Sequence, residues 1–296
     1  MHSYFRAVGL SKIVNAQATE NLIKHVVANR DSMKITEESD VNPLREYISE
    51  VAPGVCVAVR CEVDTDPCGE SETPIRVLNY FPFITDDRES LQSEVYINKK
   101  VDTRGYHGMC DDPRLGVSLI FHLVNAVDYL NNRHGRPSRR SSNPVSITGL
   151  SLDGRIILPV EKRGAADNYR TVGQRHANIM NDIDNLSPHL LDSLAQANYD
   201  IYSEVMQRSR FEDVYSIVDT TFIPYGSESD VYSIVGEIEQ FSYKTNVISG
   251  EKVCVMQLMC NEMPITVGIN AEDLLGEPDI GRRFKGIVWI QGKVRF

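Results

Sequence analysis

Residues 231–296 constrain the fold of this chain most strongly, because their apolar residues alternate at the period of a β-strand. The alternation predicts strands at residues 232–243, 252–260, 265–269 and 283–296, with a short helical connector at 271–276 and a tight turn at 277–281. This order of elements is typical of an oligonucleotide/oligosaccharide-binding (OB) barrel, a small five-stranded fold that closes its own edges. We expect the fifth strand to come from the curl of the first strand or from the tail.

Residues 1–165 carry mixed patterns that predict an α+β unit with a mainly antiparallel sheet. Helical spacing predicts helices at residues 17–29 and 43–51, and Asn125 is placed to cap a third that continues to residue 130. Strands are predicted at residues 55–63, 75–84, 94–98, 115–123, 145–152 and 155–160. The last two flank Asp153-Gly154, which is a strong hairpin signal.

Residues 166–230 have a different composition and predict an αα-hairpin, with one helix before Ser187-Pro188 and one after it. The segment contains 11 acidic and 4 basic residues, so most of the net charge of −10 lies here. The chain is therefore expected to be an α+β protein with three units, at residues 1–165, 166–230 and 231–296, ending in an OB-like β-barrel.

Composition and cysteine usage indicate an ordinary globular chain. The N-terminus has no apolar run behind a basic flank, and no run approaches the length of a membrane span, so we expect a cytoplasmic protein that does not contact a membrane. The six cysteines include no CxxC pair, and we expect free thiols and no metal site or cofactor.

Residues 105–116 (GYHGMCDDPRLG) are the most chemically loaded stretch and are predicted to form a loop. A nucleophile, a base and an anion clamp could all come from it, which gives the candidate catalytic residues His107, Cys110, Asp111, Asp112 and Arg114. The alternative is a purely structural loop, in which Asp112-Pro113 starts a turn and Arg114 pairs with an aspartate.

The closing strand gives the second set of candidates, because its basic residues share one face with the only tryptophan of the chain. These candidate binding residues are Arg283, Lys285, Trp289, Lys293 and Arg295. An aromatic residue among cations suits a groove for single-stranded nucleic acid. The same face could instead dock on the acidic helical hairpin, and charge complementarity favours that interpretation.

Three phrases and the closing barrel resemble those of one uncharacterised bacterial family, a domain of unknown function of about this chain's length. The phrases are MHSYFRAVGLSKI at residues 1–13, YHGMCDDPRLGVSLIF at 106–121 and ITGLSLDGRIILPVEK at 147–162. The resemblance covers essentially the whole chain. It implies that the three units usually occur together in one protein, and it implies no function.

The sequence favours a non-catalytic, cytoplasmic binding or scaffold protein, because it predicts an OB-like barrel and contains no recognisable catalytic motif. Two alternatives remain open: an enzyme that uses residues 105–116, and a protein that binds single-stranded nucleic acid through the barrel. The acidic total favours a protein partner over nucleic acid.

Overall fold

The computed structural model describes residues 3–36, 44–63, 74–100, 105–133, 143–159 and 219–295. Within these ranges the protein is mostly β-strand, with a few helices, and it is α+β as expected. The helices are α1 (Ala16–Ala28), α2 (Ala126–Arg133) and the 3-10 helices Ser3–Val8 and Ala271–Asp273. The strands are β1 (Ser32–Ile35), β2 (Leu44–Ala52), β3 (Val55–Val63), β4 (Pro74–Ile84), β5 (Leu91–Ser93), β6 (Tyr96–Lys99), β7 (Tyr106–Asp111), β8 (Ser118–Leu123), β9 (Asn143–Ile157), β10 (Thr221–Pro224), β11 (Val231–Thr245), β12 (Lys252–Cys260), β13 (Met263–Asn270), β14 (Leu274–Leu275) and β15 (Arg283–Val294).

An antiparallel sheet in the order β1-β2-β3-β4 forms the first layer. Helix α1 packs beside it and buries Leu22 and Val26, while the Asn15 side chain caps the helix by accepting a hydrogen bond from the Ala18 amide. The predictions of α1, β3 and β4 are confirmed.

The helix predicted at residues 43–51 is wrong, because residues 44–52 form the strand β2. Its apolar residues recur three and four apart, which suggested a helix. In the fold, however, the segment pairs with β1 on one side and with β3 on the other, and Glu46 is buried against Arg60. Pairing along two edges outweighs the local helical spacing.

The second sheet contains five strands whose pairings return to the starting strand. β11 pairs with β12, β12 with β13, β13 in parallel with β9, β9 with β15, and β15 with β11 again. The first half of β11 contacts β15 and the second half contacts β12, with a register shift between Ile238 and Gln240. A further strand was expected from the curl of β11 or from the tail. The strand that completes the cycle is instead β9, from far earlier in the chain.

The hairpin predicted at Asp153-Gly154 is wrong, because β9 runs without interruption from residue 143 to 157. Gly154 serves close packing instead of a turn: it pairs with Gly286, and a Cβ at Gly154 would overlap the Phe284 ring. The short connector after β13 is a 3-10 helix followed by the two residues of β14, which pair with β9.

Residues 105–116 do not form a loop throughout, which corrects the prediction for this stretch. Residues 106–111 are the strand β7, which pairs with β6 and with β8 and extends the second sheet beyond β15. Strand β8 is shorter than predicted, since a turn occupies the residues before Ser118. Asn125 precedes α2, but its side chain binds both backbone polar groups of Val294 and so fixes the end of β15.

Two apolar cores lie against the shared strands β9 and β15. Val288 and Ile290 of β15 belong to a core that the five strands of the cycle share with β7, β8 and α2, and we call it the core of the five-strand cycle. Trp289, between them, belongs to the second core together with Leu150 of β9, the first sheet, α1 and the N-terminal 3-10 helix. Because neighbouring residues of a strand point to opposite faces, β15 is buried on both sides.

The αα-hairpin predicted at residues 166–230 lies mostly outside the described residues, and the division of the chain into three units stays a prediction. Strand β9 of the first predicted unit pairs with β13 and β15 of the last. Within the described ranges, every helix is too short or too polar to cross a bilayer.

Candidate functional site

A buried polar cluster lies where three strands of the second sheet meet, and we call it the His-Asp cluster. It consists of His107 from β7, His122 from β8 and Asp230, which immediately precedes β11. His107 and His122 are register partners across the β7–β8 pair, so their side chains share one face of the sheet. The three candidate ligand atoms all lie within 4.8 Å of one another.

Asp230 is the electrostatic centre of this cluster, and only 1% of its surface is exposed. Its Oδ2 lies 3.0 Å from the Nε1 of Trp289, 3.1 Å from the Nε2 of His107 and 3.6 Å from the Nζ of Lys100. Burial by itself would raise the pKa of Asp230. The His107 imidazole, the Trp289 N–H and the Lys100 charge outweigh that effect and lower the pKa well below its ordinary value.

Aromatic rings enclose the cluster on the side of the second core. The His122 ring lies 4.6 Å from that of Phe81 and 5.1 Å from that of Trp289, and Tyr4 stacks on Trp289 at 5.1 Å. Burial, together with the charges of Glu228 and Asp230, raises the pKa of Tyr4 to about 12. The Tyr4 ring of the N-terminal 3-10 helix therefore covers Trp289, and this contact limits the access of solvent to the cluster from that side.

The candidates of residues 105–116 are not brought together into one catalytic arrangement. His107 faces Asp230, whereas Cys110 is 1% exposed and lies in the core of the five-strand cycle. Burial and the nearby Asp112 and Asp111 carboxylates raise the pKa of Cys110 to about 12, so its thiol is protonated at neutral pH.

The remaining candidates of this stretch bind one another and the neighbouring backbone. Asp112 accepts hydrogen bonds from the Arg114 guanidinium at 2.9 and 2.7 Å, and the same guanidinium donates to the carbonyls of Glu262 and Ser90. Asp111 accepts a hydrogen bond from the Ser118 hydroxyl at 2.6 Å. This arrangement matches the structural alternative, in which the turn carries its own ion pair.

The candidates of β15 do not line an open groove. Arg283 is buried and donates to the carbonyl of Leu158, and Trp289 is 4% exposed. Lys285 is half-buried, and Lys293 and Arg295 at the end of the strand approach Asp87. Trp289 docks on Tyr4 and His122, while docking on the helical hairpin concerns residues outside the described ranges.

A different aromatic pair is open to solvent, at the far end of β11. Phe241 and Tyr243 are 37% and 49% exposed, and their rings meet edge to face at 6.3 Å. Their register partners on β12 are the buried residues Met256 and Cys254. The two aromatic rings therefore extend the apolar face of the β11–β12 pair to the protein surface. We call Phe241 and Tyr243 the aromatic patch.

The sequence interpretation named one member of the His-Asp cluster and missed His122 and Asp230. A usable signal was present, because His107 and His122 are equally distant from the midpoint between Arg114 and Leu115, and an antiparallel pair centred there places them opposite each other. Because residues 105–116 were predicted to form a loop, the pairing of His107 with His122 was not predicted. Asp230 lies far along the chain from both histidines, and nothing local indicates its position.

Comparison with known proteins gives one match. No curated protein and no solved structure matches the chain. The family described as a domain of unknown function from an E. rectale gene description, DUF3881, matches residues 5–292. The match spans nearly the full length, as the resemblance in the sequence implied, and the chain belongs to this family.

Proposed function

We propose that this chain is a non-catalytic, cytoplasmic binding protein of bacterial origin, built on an OB-like barrel, that contacts a protein partner through the aromatic patch. The observation that carries the proposal is the exposure of Phe241 and Tyr243 side by side on a well-packed strand pair. Exposed aromatic residues on a rigid scaffold are the usual anchors of protein interfaces.

The OB-like part of the proposal is supported by the cycle of five paired strands. With β11 as the first strand, β12 and β13 follow as the second and third, β15 is the fourth, and β9 completes the cycle. In OB folds the loop between the first two strands takes part in ligand binding. The aromatic patch lies at the end of β11 that leads into this loop.

The loop itself is held firmly. Asn246 is buried, donates to the carbonyl of Val8 and accepts hydrogen bonds from the amides of Ile248 and Ser249. Val247, the next residue, is 77% exposed. An apolar side chain presented by a fixed loop loses little conformational entropy on binding, which favours recognition of a partner.

The two alternatives find less support in the described residues. The protonated, buried thiol of Cys110 and the internally paired Arg114 argue against catalysis by residues 105–116. The buried Trp289 argues against stacking of nucleic acid bases on β15. A cytoplasmic location is compatible with the buried free thiols of Cys56, Cys61, Cys254 and Cys260.

The test is a pull-down from a bacterial lysate with matched variants. We expect the unmodified chain to retain a partner at reproducible stoichiometry, and F241S/Y243S to lose it. Tyr225→Ser is the control, because Tyr225 is 50% exposed and directly follows β10, which pairs with the first half of β11 and not with the half that carries Phe241 and Tyr243.

The proposal is wrong if F241S/Y243S retains the same partner as the unmodified chain. It is also wrong if the purified chain is monodisperse without a partner and turns over a compound in a metabolite panel. Tight binding of oligothymidine at physiological salt would favour the nucleic-acid alternative instead.

A further inference from the structure

We propose that the His-Asp cluster is a binding site for a divalent first-row transition-metal ion of the zinc type. Two imidazoles and one carboxylate are a donor set that suits such ions and suits the harder alkaline-earth ions poorly. The three side chains come from distant parts of the chain, and the fold brings them together in the interior of the protein.

The distances need only a small adjustment to accommodate an ion. Bonds of about 2.0–2.2 Å to a tetrahedral ion place neighbouring ligand atoms roughly 3.4 Å apart. The Nε2 of His107 and the Oδ2 of Asp230 are already 3.1 Å apart, and all three ligand atoms lie within 4.8 Å of one another. Coordination therefore requires the imidazole rings to turn about their side-chain torsions.

The position of the His107 ring suits coordination of an ion shared with Asp230. Its Nε2 is buried and lies close to Asp230, yet it makes no hydrogen bond of normal geometry with any described residue. Buried polar atoms almost always have a partner. A metal ion bridging His107 and Asp230 would use the Nε2 lone pair and satisfy both groups.

Neighbouring hydrogen-bond donors would orient the Asp230 carboxylate, as the partners of ligand side chains do in metal sites. The Trp289 N–H donates to the Oδ2 of Asp230, and the Ile290 amide donates to the backbone carbonyl of Asp230 at 2.8 Å. These bonds fix Asp230 to β15, while the pairing of β7 with β8 fixes both histidines. Rigid supporting contacts of this kind raise the affinity of a metal site.

Lys100 is the competing cation, since its ammonium lies 3.6 Å from the Oδ2 of Asp230. The Lys100 side chain is 38% exposed at the edge of the cluster and can turn to solvent when an ion enters. The proposal therefore makes an unusual prediction: removal of the Lys100 charge tightens metal binding, because like charges repel in a buried site. A purely structural His-Asp ion pair predicts no metal binding with or without Lys100.

The chain provides its own reporter for the experiment. Trp289 is its only tryptophan, its ring lies 5.1 Å from that of His122, and its N–H is bonded to Asp230. Cobalt(II) is a stand-in for zinc and quenches a nearby indole. Chelator-treated full-length protein is titrated with Co²⁺ while tryptophan fluorescence and visible absorption are recorded, and Zn²⁺ is then added.

We expect saturable quenching at one Co²⁺ per chain, a visible absorption band of cobalt with nitrogen and oxygen ligands, and recovery of fluorescence when Zn²⁺ displaces Co²⁺. Asp230→Asn and His107→Gln should each weaken binding by about tenfold or more, the size of effect typical at metal sites. Lys100→Met should bind more tightly than the unmodified chain. His25→Ala, which removes an exposed imidazole on α1, should bind unchanged.

The absence of saturable binding at one ion per chain in the unmodified protein overturns the proposal. Equal affinity in His107→Gln and the unmodified chain overturns it as well, as does weaker binding in Lys100→Met. His107→Gln keeps this test decisive if Asp230→Asn fails to fold, because the His107 side chain is 14% exposed and tolerates replacement better.

Discussion

At the scale of single residues, the chemistry of this protein depends on burial more than on residue type. Cys110 and Cys254 occur in alternating strand patterns, and burial raises the pKa of both thiols to about 12. Asp230 is equally buried, but its neighbours lower its pKa. A list of reactive residue types therefore says little about reactivity until the contacts of each residue are known.

The first prediction concerns the reactivity of Cys110. We expect its thiol to react with iodoacetamide far more slowly than free cysteine at neutral pH, because it is 1% exposed and its pKa is raised to about 12. Peptide mapping by mass spectrometry after timed labelling measures the rate, with the urea-unfolded chain as the control. Labelling of Cys110 at the rate of free cysteine would contradict the account and revive the catalytic alternative.

The second prediction concerns the Asp112–Arg114 ion pair. Burial alone would raise the pKa of Asp112, but the hydrogen bonds and charge of Arg114 hold it below its ordinary value of 3.8. A lowered pKa in the folded state stabilises the protein above the unfolded pKa, and that contribution is lost as pH falls through the folded value. Asp112→Asn should therefore lower the free energy of unfolding by about 1.5–3 kcal/mol at pH 7.

The difference between Asp112→Asn and the unmodified chain should shrink as pH falls below 3.8, and urea unfolding at several pH values measures it. Asp87→Asn is the control, because the Asp87 side chain is 90% exposed and its removal should cost little. A stability difference that does not change with pH would show that the charge of Asp112 is not its source.

At the scale of elements, glycines let strands approach an aromatic ring. Phe121 of β8 is fully buried, and a Cβ at Gly108 of β7 or at Gly292 of β15 would overlap its ring. We expect Gly292→Ala to lower the free energy of unfolding by about 1–3 kcal/mol, the usual cost of overpacking. Gly108→Ala should behave in the same way.

A double-mutant cycle with Phe121→Leu checks the cause of this loss. Leucine leaves room beside the strand, so Gly292→Ala should cost less in the Phe121→Leu background than alone. An equal cost in both backgrounds would mean that backbone conformation, and not the ring, requires glycine at this position.

How far the sequence predicts an element depends on where its partners lie. Strands β12 and β13 were predicted well, because they are neighbours in sequence and pair with each other, and because their apolar residues alternate at the period of a strand. Strand β2 was predicted as a helix, because the contacts of Glu46 with Arg60 on the next strand are not visible locally. Asp153-Gly154 is a turn signal in isolation, but in the fold it lies in β9 where the register with β15 shifts and Gly154 packs against the Phe284 ring.

The same limit applies to the His-Asp cluster. His107 stands out in the sequence because reactive residue types surround it, but His122 lies on the next strand and Asp230 lies far along the chain. No local pattern links Asp230 to His122. The cluster could be assembled only once the pairing of β7 with β8 and of β15 with β11 was known.

At the scale of the whole molecule, β9 connects the middle of the chain to the C-terminal strands. It pairs with β13 and with β15, and its residues Val145 and Ile147 are fully buried in the core of the five-strand cycle. Residues 231–296 by themselves lack this strand. The segment that appeared self-sufficient in the sequence is therefore expected to depend on residues 143–157.

This dependence gives the fourth prediction. Residues 231–296 expressed alone should show no cooperative unfolding transition, because the missing strand exposes the apolar core and two strand edges. Near-UV circular dichroism during urea titration measures this, with the full-length chain as the control. A cooperative transition in the isolated segment would contradict the role assigned to β9 and would restore an independent C-terminal unit.

The burial of the tryptophan-bearing face of β15 distinguishes most directly between a packed strand and an open binding groove. Trp289 is 4% exposed, stacks on Tyr4 and donates to Asp230, so its fluorescence in the intact protein should be blue-shifted and protected from acrylamide. Oligothymidine should not change it, even at low salt, and unfolding in urea should shift it to the red. An emission typical of exposed tryptophan, quenched by oligothymidine with an affinity that falls steeply as salt rises, would contradict the account.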